Sequence, residues 1–460
     1  MTPIEFAREN QQKNLDELID WLKIPSISTD MAYAADVAKA AGWLVDSMAV
    51  AGLENIQLIE SELGLHPLVY ADWLHAGADK PTVLIYGHFD VQPPDPLALW
   101  DTPPFEPTVR DNRLYARGAS DDKGQTFIHV KAVEALLKAD GTLPVNVKFI
   151  CEGEEESGGR TLSAFLPENK ELLKADVALV SDTGILSADQ PSITYALRGI
   201  YMDFIDVTGP AIDLHSGMFG GGIDNPLNVL GHIIAGLKDL NGEVLIPGFY
   251  DDVRELSAEE RALLAQLPFD EEKWLEHTGA SRVWGESAYT LVERLGARPT
   301  LDVHGIIGGY TGEGGKTVLP STVHAKISMR LVPDQDPAKI KNLFREHVLN
   351  LAPDTVTVKF GDDTDGSVPS ITDYSIPPMK AAKKAYTAGF NKEPVFMREG
   401  GSIPVVAEFQ AHLGLETVLM GFGLPTDALH SPNENFYLPN FYRGIETSIH
   451  FLVEYGKSGK

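Results

Sequence analysis

Short apolar runs alternate with segments of helical periodicity over the first 190 residues, and this alternation constrains the fold more than any other feature. Val83–Tyr86 is a continuous apolar run, which is typical of a strand that is covered on both faces, and Val145–Ile150 and Val177–Val180 also have strand patterns. Lys123–Leu137 spaces its apolar residues as a helix does. The pattern predicts a layered α/β fold.

A second region begins near Tyr195, where the pattern changes. Its strand and helix patterns are Gly199–Val207, Asn228–Leu237, Thr317–Arg330 and Pro337–Leu349. Because 460 residues are more than one hydrophobic core usually organises, two domains are expected. We predict a two-domain, mixed-sheet α/β protein in which residues 1–190 and 371–460 form one domain and residues 191–370 form an inserted α/β sandwich.

The composition argues against several classes of protein. A formal net charge of −28 at pH 7 argues against a nucleic-acid or anionic-membrane partner, because like charges repel. No stretch approaches the ~18 consecutive apolar residues that span a bilayer, and Met1–Asn10 lacks the apolar core of a signal peptide. The single cysteine, Cys151, excludes an intramolecular disulfide. We therefore expect a soluble, cytoplasmic protein.

Side chains that can bind metals follow four successive strand-like runs. They are His88 and Asp90, Asp121, Glu154–Glu156 and Asp182, with His430 far down the chain. Each residue alone is more often a turn or cap residue, but ligands collect at the carboxyl ends of strands in α/β sheets, so the recurrence favours one shared site. Two divalent metals ~3.5–4 Å apart can activate one water and polarise one carbonyl. The sequence therefore predicts a hydrolase.

The local sequence assigns roles to some of these residues. Asp90 lies two residues after His88, so it can fix the tautomer of a metal-bound imidazole. Asp121 can bridge two cations with its two oxygens, whereas Asp122 is better explained as a helix N-cap. The Gly and Asp residues around them indicate an unusual backbone, such as a cis peptide. The acidic run alone could be a solvated turn; in a metal site, one of its carboxylates can serve as general base.

The motifs and their order resemble the co-catalytic zinc peptidases, a family that includes carnosinases, bacterial dipeptidases, acetylornithine deacetylase and glutamate carboxypeptidases. The resemblance covers nearly the whole chain through GHFDVQ (87–92), RGASDDKG (117–124), EGEEESG (152–158), SD (181–182), DLHSG (213–217), REGGSIP (398–404) and HSPNE (430–434). The segments KTVLP (316–320) and SMRLVP (328–333) resemble the carnosinase-like dipeptidase branch.

The resemblance implies two Zn²⁺ ions per chain, although Mn²⁺ accepts the same kind of ligands. The implied ligands are His88, Asp121 and Asp182 for one metal, and Asp121, Glu156 and His430 for the other. Asp121 would bridge the metals, and Asp90 would orient His88. Glu155 would be the general base that takes a proton from the bridging water and delivers it to the leaving amine, with Glu154 as the alternative in the same run.

The resemblance also implies that the inserted domain is a lid and dimerisation domain. In a homodimer, His215 would reach the partner's active site and stabilise the developing oxyanion. Arg330 would bind the substrate carboxylate through its guanidinium fork. The remaining members of this carboxylate pocket would be Thr317, Gly401 and Ser402, with Gly400 and Gly401 permitting close approach of the backbone.

These features predict a dinuclear metal-dependent dipeptidase or short-peptide carboxypeptidase, whose substrates have a free C-terminal carboxylate. A hydrolase of N-acyl or N-carbamoyl amino acids with the same metal machinery is the main alternative. A non-catalytic binding protein that retains the fold is a further alternative. Such a protein should have lost one or more ligands, whereas every ligand position is filled in this chain.

Overall fold

The computed structural model describes residues 1–361 and 366–459. The α-helices are α1 (Pro3–Glu9), α2 (Gln11–Leu22), α3 (Ala34–Ala51), α4 (Lys123–Asp140), α5 (Arg160–Glu168), α6 (Lys170–Leu173), α7 (Ser216–Phe219), α8 (Pro226–Leu237), α9 (Ala258–Leu264), α10 (Glu271–Thr278), α11 (Leu291–Ala297), α12 (Pro337–Leu351), α13 (Pro377–Phe390), α14 (Pro404–Glu408) and α15 (Leu438–Gly456). Short 3₁₀ turns span Met31–Tyr33, Leu97–Leu99 and Glu155–Ser157, and a π-helical turn spans Phe409–Leu413.

The strands follow the same chain order. They are β1 (Glu54–Ile59), β2 (Leu68–Trp73), β3 (Thr82–His88), β4 (Thr108–Arg110), β5 (Arg113–Tyr115), β6 (Asn146–Glu152), β7 (Val177–Val180), β8 (Ser192–Leu197), β9 (Gly199–Thr208), β10 (Leu214–His215), β11 (Thr300–Gly308), β12 (Val318–Leu319), β13 (Thr322–Leu331), β14 (Thr357–Phe360), β15 (Ser370–Ile371), β16 (Val395–Glu399), β17 (Thr417–Leu419) and β18 (Asn435–Tyr437). Helices and strands alternate as the sequence predicts, and the mixed-sheet α/β fold class is confirmed.

The chain forms two compact units. The first comprises Met1–Tyr195, Thr372–Phe396 and Glu408–Lys460, and the second comprises Ala196–Ile371 and Met397–Ala407. The sequence-based boundaries leave residues 397–407 in the first domain, whereas the structure places them in the second unit. There, Arg398 donates to Glu260 at 2.8 Å and Arg330 donates to Ser402 at 3.1 Å. Such long-range side-chain contacts cannot be read from a local pattern.

The sheet of the first unit has the strand order β1-β2-β6-β3-β7-β17-β8. Strand β3 is parallel to β6 and β7, and β7 is parallel to β17, whereas β1, β2 and β8 pair antiparallel with their neighbours. Strands β2, β6 and β7 are buried at every position, which explains their apolar sequences. Helix α4 contacts β3, α1, α3 and α15, so its residues from Lys123 to Leu136 are all buried.

The second unit contains the antiparallel sheet β11-β13-β9-β14. Helices α8 and α12 pack against it, and the core between them includes Ile205, Val229, Ile327 and Phe344. Strands β10 and β12 form a separate two-stranded ribbon. Within the described part of the chain, no helix combines the length and the apolar character needed to cross a bilayer.

Candidate active site

The candidate site of the first unit lies where parallel strands end. Strand β3 ends at His88, which lies opposite Glu152 of β6. The chain after β6 forms the turn Glu155–Ser157, and Asp182 follows β7, which pairs with β3 on the other side. Because these three strands are parallel, their carboxyl ends meet at one edge of the sheet and bring the side chains together.

Asp121 is at the centre of this group. Its Oδ1 lies 3.1 Å from Nε2 of His88, and its Oδ2 lies 2.9 Å from Nε2 of His430. His88 and Asp121 are buried, whereas the side chain of His430 is 56% exposed. Each oxygen of one carboxylate therefore faces a different imidazole. This arrangement suits a carboxylate that bridges two cations, with one of the sites open to solvent.

The described residues contain three groups of potential metal ligands, and within each group the ligand atoms lie within 4.8 Å of one another. They are His88, Asp121 and Asp182; Asp121, Glu156 and His430; and His88, Glu155 and Glu156. The first two groups coincide with the ligand sets implied by the sequence, and Asp121 is shared between them. Carboxylate oxygens and imidazole nitrogens are donors for Zn²⁺ and Mn²⁺, so these residues fit a dinuclear centre. The identity and number of the ions stay predictions.

Asp90 and Gln92 hold these side chains in place. Nδ1 of His88 lies 3.2 Å from the backbone oxygen of Asp90 and 3.3 Å from its Oδ1, which directs the other ring nitrogen to Asp121. The same carboxylate accepts hydrogen bonds from the backbone N–H groups of Glu155 at 3.3 Å and Glu156 at 3.1 Å. Gln92 donates to Oε2 of Glu156 at 2.7 Å. Gln92 is the last residue of the GHFDVQ motif, and its contact with Glu156 is a role that the motif alone does not indicate.

The three carboxylates of the acidic run point to different places. Glu154 is buried, and its Oε2 accepts a hydrogen bond from the backbone N–H of Thr161 at 3.2 Å. It belongs to none of the three ligand groups found in the described residues, whereas Glu155 is grouped with His88 and Glu156. The geometry therefore favours Glu155 over Glu154 as the base.

Burial and neighbouring charged groups shift the pKa values of the site. Burial raises the pKa of Glu155 to about 7, against the opposing effect of the His88 charge. Burial, reinforced by the charge of Asp121, raises the pKa of Asp182 well above its usual range. Burial alone would raise the pKa of Asp121, but hydrogen bonds with His430 and His88 hold it well below its usual range. Bound cations would relieve the repulsion among these carboxylates.

The backbone at Asp121 has the unusual geometry indicated by the sequence, because the peptide bond between Asp121 and Asp122 is cis. Asp122 is the N-cap residue of α4, but its side chain makes no capping hydrogen bond. Its Oδ2 instead accepts from the backbone N–H of His88 at 3.2 Å and from Oγ1 of Thr126 at 2.8 Å. The capping prediction is therefore wrong in this respect: the Asp122 side chain joins the end of β3 to the first turn of α4.

The predicted carboxylate pocket lies in the second unit. Arg330 on β13 donates from Nη1 to Oγ of Ser402 at 3.1 Å, and Oγ of Ser402 donates to the backbone oxygen of Arg198 at 2.5 Å. A hydroxyl has one proton to donate, so Ser402 has none left for a substrate carboxylate. This geometry assigns Ser402 to the positioning of Arg330 rather than to direct contact with substrate.

His215 and Thr317 lie on the β10–β12 ribbon. His215 pairs with Val318, and the carbonyl of Thr317 accepts a hydrogen bond from the backbone N–H of Ser216 at 3.1 Å. Both His215 and Thr317 are exposed. Nδ1 of His215 accepts a hydrogen bond from the backbone N–H of Gly217 at 3.0 Å. A neutral His215 ring therefore carries its proton on Nε2, where it can be donated to a ligand.

Gly400 and Gly401 differ in what surrounds them. A Cβ at Gly400 would lie 2.6 Å from Nη2 of Arg198, whereas a Cβ at Gly401 would meet nothing within 4 Å. The close approach of the Arg198 guanidinium therefore explains the glycine at position 400. No such contact explains the glycine at position 401.

The model of the peptidase family M20/M25/M40 matches residues 84–454. The chain belongs to this family. The Cys-Gly metallodipeptidase of Candida albicans is 34% identical to this family member, over 99% of this chain and 97% of the relative. The human Beta-Ala-His dipeptidase is 31% identical, over 98% of this chain and 91% of the relative. The crystal structure of the metallo-carboxypeptidase Sso-CP2 from Sulfolobus solfataricus has a TM-score of 0.85 at 34% identity, with 96% of this chain and 99% of that chain covered.

One residue of this M20/M25/M40 peptidase, Glu434, has a position that the sequence analysis did not interpret. It is fully buried, and its carboxylate accepts four hydrogen bonds. The donors are the backbone N–H groups of Gly118 (2.9 Å), Ser120 (3.1 Å) and Asp121 (3.1 Å) and Nη1 of Arg117 (2.7 Å). Because Glu434 lies four residues after His430, it ties the loop of this imidazole to the loop of Asp121. The sequence feature that could have identified Glu434 is its place in the HSPNE segment.

Proposed function

We propose that this M20/M25/M40 peptidase hydrolyses the peptide bond of dipeptides or short peptides that have a free C-terminal carboxylate. Two relatives at 34% and 31% identity are named as dipeptidases, and a structural relative at 34% identity is named as a metallo-carboxypeptidase. The observation that carries the proposal is the Asp121 carboxylate, whose oxygens face His88 and His430 next to Glu155.

The chemistry divides between bound metals and side chains. Two zinc ions in the predicted ligand sets would supply Lewis acidity toward the scissile carbonyl and the attacking water. Glu155 takes a proton from that water and later delivers it to the leaving nitrogen. Burial raises the pKa of Glu155 and so makes this carboxylate a stronger base. Asp90 keeps His88 and the acidic turn fixed while the proton moves.

Arg330 provides recognition of the free C-terminus. Its guanidinium can donate two parallel hydrogen bonds to a carboxylate, which a lysine cannot do. Ser402 accepts from Nη1 of Arg330 and so limits rotation of the guanidinium plane. Burial lowers the pKa of Arg330, but a guanidinium remains charged at neutral pH.

His215 completes the proposal as an oxyanion donor in a homodimer, which the family resemblance implies. Its Nε2 carries the proton of the neutral ring, because Nδ1 accepts from Gly217. A donor of this kind acts on charge that develops in the transition state, so its contribution appears mainly in kcat. The exposure of His215 leaves its ring accessible to a second chain.

We do not propose the hydrolysis of N-acyl or N-carbamoyl amino acids. Two Burkholderia amidases of the hydantoinase/carbamoylase family align with TM-scores of 0.58 and 0.57, but at 13% identity they share the fold alone. The relatives named as dipeptidases exceed 30% identity over nearly the whole chain.

The proposal is tested by measuring metal content together with the hydrolysis of a panel of dipeptides and N-acetyl amino acids. We expect about two metals per chain and cleavage of dipeptides, as a dinuclear hydrolase requires. Chelation should abolish this activity, and zinc or manganese should restore it. Cleavage of the N-acetyl amino acids alone would contradict the proposal, as would full activity after complete removal of metal.

A further inference from the structure

Residues 424–435, here called the His430 loop, have an unusual backbone. Ala428, His430 and Asn433 all have a positive φ, at 56°, 56° and 63°. These values lie in the left-handed region, which asparagine tolerates but which is costly for alanine and histidine. Residues persist in this region when the surrounding structure fixes them. The His430 loop therefore depends on contacts that oppose its own backbone preference.

The imidazole of His430 is not fixed by burial, because its side chain is 56% exposed. Its Nε2 lies 2.9 Å from Oδ2 of Asp121 and 3.4 Å from Oε1 of Glu156. Both carboxylates belong to the same group of potential metal ligands as His430. A bound cation would take the place of these contacts, so the ring has to be positioned through the backbone of its loop.

Asp427 is a fully buried residue of the His430 loop, and its carboxylate accepts three hydrogen bonds. Oδ1 accepts from Nη1 of Arg113 at 2.9 Å, and Oδ2 accepts from the backbone N–H of Leu424 at 2.8 Å and from Oγ of Ser120 at 3.1 Å. The backbone oxygen of Asp427 accepts from the backbone N–H of Asn435 at 2.9 Å. Asp427 thus joins the two ends of the His430 loop to each other and to β5.

The loop of Asp121 has a support of its own. Asp427 reaches it only through the Ser120 hydroxyl, whereas Glu434 accepts from the backbone N–H groups of Ser120 and Asp121, both at 3.1 Å. Loss of the Asp427 carboxylate would leave these backbone bonds in place. Because Asp427 precedes His430 by three residues, its loss should act mainly on the position of His430.

We propose that Asp427 is a positioning residue that holds the His430 loop and thereby sets the affinity of the metal site that His430 helps to form. The inference rests on the dinuclear centre of the proposed function and deepens it. The buried carboxylate of Asp427 is bound to other parts of the protein, so it acts through His430 and not on the substrate. The predicted site of His88, Asp121 and Asp182 keeps its affinity without Asp427.

The test is a zinc titration of the metal-free full chain against a competing chelator, which resolves two binding steps. In Asp427→Asn, one step should weaken about tenfold, the lower end of the effect of losing a partner of a metal ligand, because Asp427 acts through the backbone. The other step should remain as in the wild type. Asparagine has one acceptor oxygen, so it cannot accept from Arg113, Leu424 and Ser120 together. His430→Asn identifies the affected step, since it removes the ligand itself.

Asp203→Asn is the matched control. Asp203 is a buried aspartate of the second unit that accepts hydrogen bonds from Tyr201 and Arg345, and its substitution should leave both steps unchanged. Ser120→Ala is a milder variant that keeps the test decisive if Asp427→Asn does not fold. It removes one of the three hydrogen bonds to Asp427, so it should weaken the same step about threefold.

Three results would overturn the inference: wild-type affinity at both steps in Asp427→Asn, equal weakening of both steps, or the same selective loss in Asp203→Asn. If Asp427→Asn does not fold, wild-type affinity at both steps in Ser120→Ala would overturn it. Failure of the proposed function looks different, because the wild type would then bind fewer than two zinc ions per chain.

Discussion

The carboxylates at the candidate site of the first unit and the arginines near Ser402 in the second unit are held by different kinds of contact. The acidic cluster of the first unit consists of Asp121, Glu155, Glu156 and Asp182. Its members contact cationic or dipolar partners, such as the imidazoles of His88 and His430 and the amide of Gln92. Within the described residues, Arg198 and Arg330 of the second unit donate to oxygens that carry no net charge, such as those of Gly400 and Ser402. Asp121 and Glu156 are therefore oriented by side chains that balance or solvate their charge, whereas Arg330 is held by one hydroxyl.

Substitutions in the two regions should therefore have different effects. Asp121 and Glu156 of the acidic cluster are each held by neighbouring side chains, so the loss of one charge should change chemistry before it changes structure. The guanidinium of Arg330 is held by one hydrogen bond to Ser402, so its loss should appear in substrate binding. Four substitutions test this contrast.

The largest effect is expected for Glu155→Gln. The substitution removes the proton acceptor but keeps the size of the side chain, so kcat should fall by ~10²-fold or more while metal content stays the same. Steady-state kinetics and elemental analysis of the same preparation measure both quantities. Glu154→Gln is the control, because Glu154 accepts from Thr161 and lies outside the ligand groups of the described residues. A greater loss of kcat in Glu154→Gln would identify Glu154 as the base.

Arg330→Gln should change substrate binding through the second unit. A neutral side chain cannot supply the charge-assisted bidentate contact, so the preference for a dipeptide over its C-terminal amide should fall by roughly 30-fold, mainly through KM. Measuring kcat/KM for Ala-Ala and for its amide gives this ratio directly, with Arg294→Gln as the control, because Arg294 donates to the backbone oxygens of Thr290 and Trp284. An unchanged ratio would show that another group binds the C-terminal carboxylate.

Glu434→Gln tests whether the buried carboxylate of Glu434 holds the Asp121 loop in place. Glutamine cannot accept all four hydrogen bonds, and its amide would face the N–H of Gly118 or the guanidinium of Arg117. Zinc affinity, measured by competition with a chelator, should fall roughly 10–100-fold, as is usual when a partner of a metal ligand is lost. Glu446→Gln is the control, since Glu446 on α15 pairs with Arg8. Wild-type zinc affinity in Glu434→Gln would mean that the Asp121 loop is fixed without this carboxylate.

The sequence predicts regular elements well where their residues repeat a long or uniform pattern. The strand Val177–Val180 has the predicted bounds, and α4 begins at Lys123 as predicted and extends three residues further, to Asp140. The predicted strand pattern Thr317–Arg330 is divided into β12 and β13 on either side of Pro320 and Ser321. Helices α9, α10 and α11 have no sequence-based prediction, because elements of two turns offer too few apolar positions to establish a period.

The candidate site could likewise be predicted from local sequence patterns only in part. Glu155, Glu156 and Asp182 could be grouped from sequence because they follow β6 and β7, which end at the same edge of the sheet as β3, whereas Asp121 lies in the loop between β5 and α4. The direction of the Ser402 hydroxyl depends on Arg198, which is 204 residues away, and no local pattern specifies that contact. The burial of Glu434 depends in the same way on a loop more than 300 residues earlier in the chain.

The smallest expected effect concerns His129, a neutral support beneath the acidic cluster. His129 is fully buried, with Nε2 2.7 Å from Oγ of Ser181 and Nδ1 2.9 Å from Oγ of Ser448, and burial lowers its pKa to about 3. The unfolded chain binds a proton at this residue below its ordinary pKa of about 6.5, whereas the folded protein does not. His129 therefore lowers the free energy of unfolding as pH falls below about 6.5, by ~1 kcal/mol at pH 5.5.

Urea unfolding of the wild type and His129→Asn at pH 7.5 and pH 5.5 measures this contribution. Asparagine keeps a donor and an acceptor but does not titrate, so the variant should lose ~1 kcal/mol less than the wild type between the two pH values. This holds even if the variant is less stable at pH 7.5, because both proteins share every other titrating group. Equal pH dependence in the two proteins would show that His129 takes up a proton in the folded state, and that the base of the acidic cluster is more polar than its burial indicates.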